Sequence, residues 1–111
     1  MSFLEYLLQN KIIKKDQVGL LEKEMEEGQE KLEEAILKND LVSEDKLFSL
    51  KSKFLNIPLK KVKPSDVPLE TLEIIPEDSA AYYKAIPLFR KDKLLEIGMV
   101  YPEDLRAQEA L

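Results

Sequence analysis

The apolar positions of residues 1–56 repeat. Leu7, Leu8, Ile12, Ile13, Val18, Leu21 and Met25 recur as Ile36, Leu37, Leu41, Val42, Leu47, Leu50 and Phe54, always at one offset (36 − 7 = 29). An ungapped register over that many apolar positions marks a duplicated unit rather than chance patterning. Each copy reads as a short helix, a polar turn, two aliphatic residues and a second helix. The turns are Gln9-Asn10-Lys11 and Lys38-Asn39-Asp40. Two copies are too few to stack as a solenoid, so a compact four-helix unit of tandem hairpins is predicted.

The local signals fill in that frame. Ser2 to Gln9 carries a helical stripe at Phe3, Leu4, Leu7 and Leu8, with Ser2 as a candidate cap. Lys15 to Glu27 follows, with Val18, Leu21 and Met25 on one face, and Gly28 is placed to end it as a left-handed cap. A third helix from about Glu30 to Asn39 turns Leu32, Ala35 and Ile36 inward. Ser43 is a good N-cap for a fourth, and Glu44 and Asp45 put negative charge in its first turn. The equivalent cap in the first copy is Lys14, which cannot accept a hydrogen bond, so the second helix is expected to fray at its start.

Composition changes at Asn56. All six prolines lie beyond it, and proline excludes long helices, so the remainder is predicted as short elements. Ile57 to Val62 reads as a strand, Asp66 to Ile74 as a short helix, and Pro76 as position N1 of another. Ala85 to Phe89 and Leu94 to Val100 flank the polar quartet Arg90-Lys91-Asp92-Lys93, a hairpin signature. Glu103 to Leu111 closes the chain as an amphipathic helix opened by Pro102. The predicted class is α+β: a four-helix subdomain at residues 1–56, then a small three-stranded sheet with short helices at residues 57–111.

Charge and residue usage narrow the function. A net charge of −5, from 17 Lys+Arg and 22 Asp+Glu, argues against nucleic acid or an anionic bilayer as partner. With no Cys and no His, the chain has no thiolate, no imidazole base and none of the usual zinc ligands. Three glycines and no G-x-x-x-x-G-K-[ST] exclude a phosphate loop, and no hard-cation spacing occurs. No apolar run approaches a membrane span, and no signal-peptide pattern opens the chain. A cytoplasmic protein that is not an enzyme, without cofactor or metal, is expected. Residues 22–34 hold seven Glu and two Lys, read as a solvated helix face. Of Tyr82 and Tyr83, one is expected in the core and the other at the surface. Tyr82, Arg90, Lys91 and Lys93 are the candidate partner-binding residues, and the face or edge of the sheet could take a partner strand.

A resemblance now has residues to rest on. Ile57-Pro58-Leu59, Ile75-Pro76-Glu77 and Ala85-Ile86-Pro87-Leu88, then Leu95-Glu96-Ile97-Gly98-Met99 and Pro102-Glu103-Asp104-Leu105, resemble the N-terminal domain of type II secretion and type IV pilus assembly ATPases. The tandem hairpins ahead of them are similar to the MshEN module, which in some of those ATPases binds cyclic di-GMP. In that pattern each copy begins Arg-Leu-Gly, carries Gly at its turn and closes on Gln, with five residues between copies. Here the second copy has Lys31-Leu32-Glu33, Asp40 at the turn, Lys51 at a later Leu position and Phe54 for Gln. The first has Ser2-Phe3-Leu4, Lys11, Glu22 and Met25 at those places, and the five-residue spacer Glu26 to Glu30 is kept. Carboxylates at Glu33 and Asp40 oppose an anion, and Lys31 lacks the planar fork of Arg.

The resemblance implies a non-catalytic docking domain of such an ATPase, whose ATP site lies outside this chain. Its partners would be the rest of the ATPase and the cytoplasmic domain of an inner-membrane assembly protein, which would hold it at that membrane without insertion. Such a domain usually continues some tens of residues past the equivalent of Leu111. The alternative is a cyclic di-GMP sensor with degenerate motifs, using Lys31, Leu32, Ile36 and Leu37 with Leu7 and Leu8 of the first copy.

Overall fold

The computed structural model describes residues 1–111, the side chain of Pro64 excepted. The chain divides into two compact units, Met1–Leu59 and Lys60–Leu111.

The first unit holds α1 (Phe3–Gln9), α2 (Lys15–Glu27), α3 (Leu32–Lys38) and α4 (Glu44–Leu55). The starts of α3 and α4 lie 29 residues after those of α1 and α2 (32 − 3 and 44 − 15), so the repeat in sequence is a repeat in backbone. The turns match in detail. Lys11 and Asp40 both sit at φ 58°. Ile12 N–H donates to the Leu7 carbonyl at 2.9 Å, and Leu41 N–H to that of Ile36 at 3.1 Å. Leu7, Ile13, Leu21, Leu32, Ala35, Ile36, Val42 and Leu47 form one core drawn from both copies. At about 1.5–3 kcal/mol for each large aliphatic side chain withdrawn from water, this shared core holds the hairpins together. Packing crosses between the copies, with α2 against α3 and α1 against α4.

Caps follow the side chains available. Ser2 Oγ accepts Glu5 N–H at 3.1 Å, and Ser43 Oγ accepts Lys46 N–H at 3.4 Å. Lys14 offers no acceptor. The start of α2 is satisfied from inside the helix, where Gln17 Oε1 accepts Lys14 N–H at 2.9 Å, and α2 begins at Lys15 in the register of α4. Gly28 departs from expectation: it is right-handed at φ −87°, and the left-handed residue is Gln29. Closeness explains the glycine, since a Cβ there would lie 2.8 Å from the Glu24 carbonyl.

In the second unit, a 3-10 turn (Pro64–Asp66) and α5 (Leu69–Leu72) stand where one short helix was expected. Next come α6 (Glu77–Tyr83), β1 (Ala85–Lys91), β2 (Leu94–Met99) and α7 (Leu105–Ala110). Pro76 is the N-cap of α6 rather than its first residue. Asp104, not Pro102, opens α7, its Oδ1 accepting Arg106 N–H at 3.0 Å.

Among the described residues the sheet has two strands, not three. Residues 57–62 form no strand. Ile57 and Leu59 alternate, but Val62 falls on the other parity, and Pro58 lacks an N–H for a ladder. Ile57 instead answers α4, donating to the Ser52 carbonyl at 3.1 Å. The strands β1 and β2 pair antiparallel from Ala85↔Met99 to Lys91↔Leu94, with a bulge between Pro87 and Phe89. They run into the polar quartet, leaving Asp92 and Lys93 as the turn, with Asp92 at φ 54°.

Candidate functional site

The hairpin positions that the sequence resemblance puts forward are the candidate site, and the fold turns most of them inward. Leu7 and Ile36 have no exposed surface, Leu32 is buried, and Leu8 and Leu37 are half-buried against the same core. These five are packing residues. Among the sequence candidates on the hairpins only Lys31 is exposed, at the N-cap of α3.

The departures from the pattern prove to be partners. Lys51 Nζ lies 3.1 Å from Glu33 Oε1, and their side chains are only 5% and 9% exposed. A carboxylate on α3 and an ammonium on α4 thus neutralise each other inside the hairpin unit. Each charge alone would be costly to bury, and the pair is tolerable because each supplies the other's counter-charge. Sequence reasoning noted both residues separately and missed the pairing. The available signal was two opposite charges at two positions that the pattern makes uncharged. Their first-copy counterparts, Leu4 and Glu22, are half-buried and exposed, so the ion pair belongs to one copy.

Phe54, in place of the motif Gln, closes an aromatic group with α1. Its ring centroid lies 5.5 Å from that of Phe3 and 5.1 Å from that of Tyr6, within the range of favourable tilted contacts. Across the other α-helix pair the junction is polar: Asn39 Nδ2 donates to Glu24 Oε2 at 2.6 Å while also capping α3 through the Ala35 carbonyl. Lys38 reaches Glu30 Oε1 at 3.1 Å. That hydrogen bond, then the charges of Glu30 and Glu24, hold the exposed Lys38 ammonium above its ordinary pKa. The acidic run is thus partly engaged with α3.

In the second unit, Tyr82 is 78% exposed on α6, edge-on to the half-buried Tyr83 with centroids 4.9 Å apart. Arg90, Lys91 and Lys93 are exposed around the hairpin tip. These four are not brought together. Tyr82 precedes the root of β1, and the five-residue climb from Ala85 to Arg90 spans roughly 17 Å at the usual rise of a strand. Among the described residues no group of His, Cys, Asp and Glu could hold a metal ion. No helix among them is long and apolar enough to cross a membrane.

An α+β domain of paired helical hairpins and a short antiparallel hairpin is thus the class that fold and sequence define. The family model for the MshEN domain matches residues 55–111, and the chain belongs to that family. The resemblance to type II secretion and type IV pilus ATPase N-terminal regions therefore stands, but the MshEN model lies on the proline-bearing half and not on the hairpins, to which the sequence reading assigns the MshEN likeness. A solved structure, "Structure of MshE with cdg", matches with a TM-score of 0.76 at 24% identity, over 96% of this chain and 76% of that one. At that identity the likeness is one of fold, and it extends over the hairpins as well. The comparison with curated proteins finds no match.

Proposed function

We propose that this chain is a non-catalytic protein-docking domain of a type II secretion or type IV pilus assembly ATPase. It would join the motor to the cytoplasmic domain of an inner-membrane assembly protein, and so work in the cytoplasm at that membrane. Family membership supports the setting. One observation carries the choice of docking over nucleotide sensing: the buried Glu33–Lys51 ion pair. A ligand with two phosphates needs unpaired cationic or amide donors and close backbone approach. Here a motif glycine is replaced by a carboxylate, and the nearby cation already has its anion.

The alternative, a cyclic di-GMP sensor, draws support from the paired left-handed turns at Lys11 and Asp40 and from the fold shared with the structure of MshE with cdg. Calorimetric titration with cyclic di-GMP separates the two. Docking predicts no saturable heat from the folded chain, and saturable heat at micromolar or tighter affinity would install the sensor. The docking half is tested by binding to the isolated cytoplasmic domain of the assembly protein. A purified complex supports it, and failure of the two folded proteins to associate removes it.

A further inference from the structure

The two-stranded hairpin has one face that the fold leaves partly open. Phe89 stands opposite Glu96 and Lys91 opposite Leu94. Directly opposed residues share a face and side chains alternate along each strand, so these four lie on one side. Ile86, opposite Gly98, belongs to that side too. Gly98 is there for room: a Cβ would meet Ile86 Cγ2 at 3.2 Å and Leu88 Cδ1 at 3.3 Å. Nearer the tip the apolar surface emerges, with Phe89 55% and Leu94 78% exposed.

Cations frame that surface. Lys91 lies on it, Lys93 sits in the turn beside it, and Lys60 reaches it through an ion pair with Glu96, while Arg90, opposite Leu95, belongs to the other face. Apart from Asp92 and the paired Glu96, the acidic residues of this unit fall in segments 66–78 and 103–109. A chain of net negative charge thus gathers positive charge around its exposed Phe and Leu.

We infer that this hairpin face docks an acidic, extended segment of a protein partner in which apolar residues alternate with Asp or Glu. The inference rests on the docking reading above and specifies its chemistry. Apolar side chains of the segment would cover Phe89 and Leu94. Its carboxylates would meet Lys91 and Lys93, an arrangement in which charge sets specificity and apolar burial holds the complex.

The probe is a synthetic peptide of alternating Glu or Asp with Ile, Leu and Val, titrated into the isotope-labelled full chain and followed by amide chemical shifts. Saturable shifts centred on residues 89–96, weakening as salt rises, are expected. Two double variants, Phe89→Ser with Leu94→Ser and Lys91→Glu with Lys93→Glu, should each weaken binding on the order of tenfold or more. All four side chains are exposed, so the variants should keep the fold, which the same spectra report. Absent shifts, shifts elsewhere, or equal binding by the variants would overturn the proposal. So would indifference to the peptide combined with binding to phosphatidylglycerol–phosphatidylcholine vesicles, which would make the face a lipid contact. The assembly protein's cytoplasmic domain separates the two levels. If it binds wild type and both variants alike, docking stands and this surface falls; if it does not bind wild type, both fall.

Discussion

The two helical hairpins share a backbone and differ in chemistry. Residues 3–27 and 32–55 begin their helices in the same register and turn through the same left-handed residue at Lys11 and Asp40. Yet one copy is capped at its second helix by Ser43 and the other by Gln17 reaching back to Lys14. One buries Glu33 against Lys51, and the other has Leu4 and Glu22 in those places. Apolar spacing and turn geometry suffice to keep the frame. Polar positions inside it are free to change, and in one copy the change sets two opposite charges against each other.

The largest test of that difference is to break the ion pair. Lys51→Leu removes the cation and strands a buried carboxylate, and should cost about 3–5 kcal/mol in urea unfolding. Adding Glu33→Ala to it should recover most of that loss, because the stranded charge goes too. A single variant as stable as wild type would mean that the pair is not buried in solution. The caps come next. Ser43→Ala should cost about 1 kcal/mol, and Lys14→Ala almost nothing, since only the first removes an acceptor. Equal losses would contradict the asymmetry. The smallest effect concerns the twin turns. Glycine relieves the strain of a side chain at φ 58°, so Lys11→Gly should raise stability by roughly 0.5–1 kcal/mol. Asp40→Gly should gain less, because Asp tolerates that conformation better.

How far the sequence could be read divides along the same line. The 29-residue repeat was visible because seven apolar positions report it redundantly, and the caps at Ser2 and Ser43 because each is a local rule. The β1–β2 hairpin was legible from its flanking aliphatics and polar tip. The strand expected at residues 57–62 rested on Ile57 and Leu59 alone, and a ladder needs donors that Pro58 does not supply. Gly28 looked like a left-handed cap, whereas contact with the Glu24 carbonyl requires a glycine without a positive φ. The Glu33–Lys51 pair was least legible. Its members sit on different helices, and only packing shows that both point inward. Likewise Phe89 and Leu94 gain their meaning from the strand register, which no local pattern states.

Titration of the folded chain with cyclic di-GMP tests the central claim most directly, that internal contacts have taken over the site of the hairpins. No saturable heat from the wild-type chain is the result predicted. Saturable binding at micromolar affinity or better, with Glu33 and Lys51 in place, would contradict it.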